Sequence, residues 1–395
     1  MNLRKAQVKP LVWYLMLVQA LSMSAAPLMV MVGGLIGKQL HPQPGFATLP
    51  VALMIIGTAA SALPAAKLAY RWGRRLLFLI AHCLGISASV LAAYAVVTAD
   101  FWLFCLASLG FGVVIAVVHQ FRFVAMDSVD DADKPVVAAR LLLAGLVSAF
   151  LGPELTSLSV FWPQSGFAAA FIGLAGLYGI SFLLLFFTLP RLNVSAVAEA
   201  SDARSYTELF QQPALWLAIA AAAGGYGVMA YVMTATPLSM TVLFDHDVSE
   251  AKWVIQSHIA AMFLPSLISG QLVRWLGVWR MVFLGVVIYA ATIMVAWWDQ
   301  SLIHYWFGLV MLGLGWNLLF VAGTALLPRC YLPHEASHVQ GINDMLVFTF
   351  QAIGALASGV VLLLLGWHGL LLSSLPVLIL LAMLLWRIPA SSLHD

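Results

Sequence analysis

Two pairs of side chains near the middle of the chain have the types and spacing to hold a soft metal ion: Met229 with Met233, and His258 with Met262. Each pair is four residues apart, which on an α-helix puts both side chains on one face, a turn apart. Thioether sulfur suits Cu(I) and imidazole also serves copper, whereas Mg, Ca or Mn would want oxygen ligands. Two such faces turned toward each other would gather three thioethers and one imidazole. In a chain with sixteen methionines, packing alone accounts for an MxxxM spacing. The histidine is what asks for a reason, because a buried imidazole in an apolar segment is costly. The competing chemistry is an organic solute, with Tyr226 and Tyr231 as stacking surfaces.

The elements that must position these residues are membrane spans. The chain has 395 residues, 63% hydrophobic and 9% charged, against about 25% charged in soluble domains. Stretches of about 20 apolar residues recur, each long enough to cross a hydrocarbon core. The first six cover 11–36, 46–69, 76–97, 101–124, 136–158 and 166–189; the second six cover 213–240, 251–273, 281–298, 303–327, 345–365 and 370–386. The expectation is an all-α membrane protein of twelve transmembrane helices in two halves, 1–190 and 213–395, joined by a cytoplasmic linker, 191–212. On these spans both candidate pairs fall in the outer half of the bilayer, and Pro237 is placed to break or kink the seventh span above them.

Of eighteen Lys and Arg residues, Lys38 and Lys252 alone fall outside when the amino terminus is inside, so both termini are expected in the cytoplasm. The first apolar stretch is too long for a signal-peptide core and is read as the first span. The net charge of +2 follows from that topology and calls for no nucleic acid. Cys83, Cys105 and Cys330 lack CxxC spacing, so neither a disulfide framework nor a zinc site is expected, and all three read as small buried residues. No nucleophile–base arrangement or phosphate-cradling loop points to an enzyme. A receptor or scaffold would need a domain to relay a signal, and none is evident.

After the second span comes Ala66-Lys67-Leu68-Ala69-Tyr70-Arg71-Trp72-Gly73-Arg74-Arg75, echoed after the eighth by Gly270-Gln271-Leu272-Val273-Arg274-Trp275-Leu276-Gly277. With the twelve spans and the linker, these residues resemble the major facilitator superfamily. The resemblance implies two six-helix halves with pseudo-two-fold symmetry. The acidic residue of the family's loop pattern is replaced by Tyr70, and Arg274 holds its place in the second copy. Arg71, Arg74 and Arg75 are therefore candidates for gate or inner-face anchor residues. Further gate or coupling candidates are Arg122 and Asp127 at the inner end of the fourth span, Glu154 beside Gly152-Pro153 in the fifth, and Asp344 before the eleventh. Asn343 and Asp344 are expected to cap a helix start. His119 and Asn317 read as hydrogen-bonded packing groups, and Met23 of the first span is a candidate transfer ligand.

The stretches Met229-Ala230-Tyr231-Val232-Met233 and His258-Ile259-Ala260-Ala261-Met262 resemble the paired MxxxM and HxxxM motifs of the CcoA-like copper importers, the CalT family. Thr234-Ala235-Thr236-Pro237-Leu238 and Gln340-Gly341-Ile342-Asn343-Asp344 are similar to that family too. The resemblance implies a monomeric importer in the bacterial inner membrane. Copper would be the transported substrate, with no prosthetic group, and Met229, Met233, His258 and Met262 its ligands. The metal would supply haem-copper oxidase assembly, with a cytoplasmic copper chaperone as candidate recipient. A related branch carries riboflavin, which keeps riboflavin or another small aromatic solute as the alternative cargo.

Overall fold

The structure, a computed structural model, describes residues 10–129, 134–189, 206–332 and 335–388. Among these every regular element is helical. They are α1 (Pro10–Ser22), α2 (Ala25–Leu40), α3 (Leu49–Trp72), α4 (Arg74–Val97), α5 (Phe101–Val118), α6 (Phe121–Asp127), α7 (Lys134–Glu154) and α8 (Ala168–Thr188). The short α9 (Tyr206–Leu209) is followed by α10 (Pro213–Leu238), α11 (Val248–Phe263), α12 (Ser269–Trp298), α13 (Leu302–Leu326), α14 (Ala336–Ser373) and α15 (Leu375–Arg387).

Ten helical runs among the described residues are long and apolar enough to cross a membrane. Two of them, Val248–Trp298 and Val339–Arg387, are 51 and 49 residues long, roughly 75 Å at 1.5 Å per residue and more than twice a hydrocarbon core. Each is interrupted at a glycine in the left-handed region, Gly277 (φ 71°) and Gly366 (φ 66°). Each long run thus has the length for two crossings, which makes twelve among the described residues, the number the sequence predicts.

The chain separates into two compact units, residues 1–41 with 53–196 and residues 42–52 with 197–395. Residues 42–52 group with the second because the 3₁₀ turn Pro44–Phe46 lies against α14. Most of the expected linker lies outside the described residues; α9 and the start of α10 at Pro213 mark its end. Within the first unit α4 packs on α5 and α8, and α7 on α1 and α2. Within the second, α13 packs on α10, α11 and α12, and α10 also lies along α14. Glycine sets these distances, because with little hydrophobic drive between lipid-embedded helices, close backbone contact is what holds them. A Cβ on Gly354 of α14 would stand 2.5 Å from Gly227 O of α10, and one on Gly323 of α13 would stand 2.6 Å from Ala218 O.

The internal echo reaches the backbone. Gly73, between α3 and α4, has φ 81° and ψ 146°, and Gly277, its counterpart, has φ 71° and ψ 160°. Both units thus turn from one crossing to the next at a single glycine that a side chain would strain.

The first span is present as one run, Pro10–Leu40, with a break inside it, and three other local expectations are corrected. The first span is two helices, because Pro27 has no N–H to give and Ala26 N–H bonds Met23 O instead, 3.1 Å away. Pro237 does not break α10, which runs on to Leu238 before a widened turn at Ser239–Leu243. Asn343 and Asp344 are not caps: α14 begins at Ala336, more than a turn earlier, after Glu335, whose carboxylate accepts Leu332 N–H at 2.8 Å. Cys83 is exposed on α4, whereas Cys105 and Cys330 are buried.

The glycine turns generate a stability prediction. Gly73→Val and Gly277→Val should each cost about 1–3 kcal/mol through backbone strain, read as a lowered melting temperature of the detergent-purified protein. Gly179→Ala, in α8 with nothing within 4 Å of a new Cβ, should leave melting unchanged or raise it. Equal melting of all three would refute the conformational role.

Candidate functional site

Met229 and Met233 lie on α10, whose small residues from Ala220 to Gly225 let α13 and α14 close around it. Both methionines are turned inward, 2% and 8% exposed. Pro237 supplies no N–H to the carbonyl four residues back, which is that of Met233 itself. His258 and Met262 lie on α11, and both are buried.

Side-chain hydrogen bonds tie α11 to α13. His258 Nδ1 donates to Leu309 O at 2.7 Å; because a carbonyl only accepts, this puts the ring proton on Nδ1 and leaves Nε2 as an acceptor. That Nε2 is buried without a hydrogen-bond partner. Asn317 Nδ2 donates to Met262 O at 2.7 Å and to Ser266 Oγ at 2.6 Å. Gly313 makes room for this seam, since a Cβ there would meet His258 O at 2.5 Å. The four sequence candidates thus occupy the inward faces of two helices that share α13 as a neighbour. Among the described residues no group of three or more His, Cys, Asp or Glu side chains gathers anywhere, so any metal held here would depend on thioethers.

Aromatic side chains surround the same crossing. Trp316 and Phe320 stack in parallel with centroids 5.1 Å apart. Tyr226 of α10 stands edge-on to both, at 5.0 and 5.2 Å. Phe263, next to Met262, approaches Trp316 at 6.1 Å. Tyr231 is tied down by its hydroxyl, 2.6 Å from Ser373 Oγ.

The other candidates are dispersed. Met23 is half-buried in the break between α1 and α2 of the first unit, where its N–H bonds Gln19 O. Arg75 meets the C-terminal end of α8: Nη2 donates to Phe186 O at 2.8 Å and the guanidinium lies 5.6 Å from the Phe186 ring centroid. Arg71 and Arg122 are exposed and Arg74 is half-buried. Glu154 is exposed at the end of α7, accepting Ser157 Oγ–H at 2.8 Å. Asp344 is exposed and accepts from Asn343 Nδ2 at 3.1 Å. The side chain of Asp127 lies outside the described part, as does His334.

The sequence reading passed over Trp316 and His82. His82 is fully buried in α4, its Nδ1 donating to Phe78 O at 2.7 Å and its Nε2 2.8 Å from Ser22 Oγ. A lone histidine in the apolar stretch Leu76–Gly85 of that helix is the signal the sequence offers.

Residues 12–347 match the model of the Major Facilitator Superfamily. The chain belongs to that superfamily. It is 34% identical over 361 residues to the riboflavin transporter RfnT of Brucella anthropi, covering 90% of this chain and 89% of that one. It is also 29% identical over 352 residues to YdeG of Bacillus subtilis, an uncharacterized MFS-type transporter, covering 84% of this chain and 81% of that one. Among solved structures it resembles a bacterial homologue of the human lysosomal transporter Spinster, in an inward-facing, unoccupied conformation, with a TM-score of 0.73 at 14% identity over 97% of this chain and 98% of that one. The chain is therefore a multi-pass membrane transporter with the major facilitator fold. Within the superfamily the relatives give no support to the copper branch, and the 34% identical relative carries riboflavin.

Asn317 yields the stability test of this seam. Asn317→Leu leaves Met262 O and Ser266 Oγ without their donor, which should cost about 1–3 kcal/mol. The expected readout is a lower yield of folded protein and a lower melting temperature; an unchanged melting curve would mean that glycine packing alone holds α11 on α13.

Proposed function

We propose that this chain imports riboflavin, or a small aromatic solute like it, across the bacterial inner membrane by alternating access, working as a monomer with both termini in the cytoplasm. The observation that carries this reading is the similarity to a named riboflavin transporter along nine tenths of both chains. Aromatic rings gathered from α10, α11 and α13 are in keeping with a flat organic cargo. The test is growth and uptake in a riboflavin auxotroph that lacks its own carrier. Expression of this chain should restore growth at low external riboflavin and accumulation of labelled riboflavin. Failure on both counts with normal protein abundance would overturn the reading.

One observation favours a second cargo. The His258 ring donates Nδ1–H to a backbone carbonyl and keeps Nε2 for another partner, the arrangement that metal-binding histidines commonly adopt, and it does so a turn from the buried Met262 thioether. On this reading Cu(I) is the substrate, Met229, Met233, His258 and Met262 are its ligands and Met23 is a transfer ligand. A chaperone would receive the ion for oxidase assembly. Radiolabelled copper uptake that depends on the parent chain, and that Met233→Ala or His258→Ala abolishes at unchanged abundance, is its expected signature. Copper uptake equal in both variants and the parent would rule it out.

A further inference from the structure

Trp316 is 3% exposed, yet its indole Nε1–H has no hydrogen-bond partner. A buried donor left unpaired costs about 1–3 kcal/mol, a cost that a bound acceptor would recover. The chemistry of this atom discriminates between cargoes. An indole N–H only donates, so it can do nothing for a metal cation, whereas a carbonyl oxygen on an organic ring is its natural partner.

The surroundings of Trp316 suit a flat ring. Tyr226 and Phe320, which with Trp316 form the ring cluster, rest on Ala222, Ala223 and Val347 and keep part of their surface open. Tyr226, Met229 and Met233 sit at i, i+3 and i+7 of α10 and so share one face. Polarizable thioethers beside aromatic faces pack well against a further aromatic ring. Behind this surface Asn317 and Gly313 hold α11 against α13, so the rings are mounted on fixed helices.

We propose that Tyr226, Phe320 and the methionine face of α10 form a stacking site for the planar ring of the solute, and that Trp316 Nε1–H donates to a carbonyl on that ring's edge. The inference rests on the reading of an aromatic cargo and adds which part of it is recognised: the carbonyl-bearing heteroaromatic ring, not a polyol side chain. Met229 and Met233 then act as packing for the ring.

The experiment uses the purified full-length protein in detergent, with riboflavin as a fluorescent probe and lumichrome, which has the ring without the chain, and ribitol, which has the chain without the ring, as competitors. Lumichrome should displace riboflavin and ribitol should not. Trp316→Phe, which keeps a ring but removes the donor, should weaken riboflavin binding about fivefold, the worth of one hydrogen bond. Tyr226→Leu should weaken it by at least a similar factor through lost stacking. Trp298→Phe, at a residue 82% exposed, should leave binding unchanged. Riboflavin binding that survives both site variants, or that ribitol displaces as well as lumichrome does, overturns this site and leaves the riboflavin reading standing. A parent protein that binds neither flavin overturns both.

Discussion

A hydrocarbon slab holds no water to take up a stray N–H or C=O, so each crossing must close its own backbone hydrogen bonds. That constraint accounts for a chain whose described regular structure is helical throughout, and it makes each interruption informative. The breaks fall where a residue forces them or makes them cheap. Pro27 cannot donate, and the first span divides there. Gly73, Gly277 and Gly366 take up left-handed angles that separate consecutive crossings. Pro153 closes α7 within a turn, and the chain tightens into a 3₁₀ segment, Leu155–Val160.

Once the backbones are self-satisfied, helices associate by contact area and by the few polar groups they can share. In the second unit α13 is the common neighbour. Gly313 and Gly323 bring it against α11 and α10, and Asn317 and the Leu309 carbonyl hold α11 in a fixed rotation. The candidate residues of α10 and α11 therefore stand on helices that α13 holds in place. Asn317 and His258 each find a main-chain carbonyl, Met262 O and Leu309 O, with the Ser266 hydroxyl as a second acceptor for Asn317, and His258 Nε2 is left without a hydrogen-bond partner.

Two chemistries coexist on these helices. The histidine and methionines could serve a soft ion, and the indole donor and stacked rings could serve a flat organic molecule. Family membership does not choose between them, since one fold carries many cargoes. The weight given to the aromatic cargo comes from similarity along nearly the whole of a riboflavin transporter and from an unpaired N–H that no cation could use.

Twelve crossings were readable directly, because apolar length is a local property and bilayer thickness is a fixed ruler. The glycines ending two of the turns were visible as a repeat, and the inward burial of Met229, Met233, His258 and Met262 agrees with their helical spacing. Other features were not local. The expectation of caps at Asn343 and Asp344 failed because α14 already begins at Ala336, more than a turn upstream. Cys83 looked like a packing residue until its face of α4 was known. Trp316 was one of fourteen tryptophans, and nothing in its neighbours along the chain signals an unpaired donor. A donor is unpaired only with respect to groups that other helices bring near it, so the sequence determined the spans and which residues share a face, while tertiary packing alone decided which buried polar atoms were left without a partner.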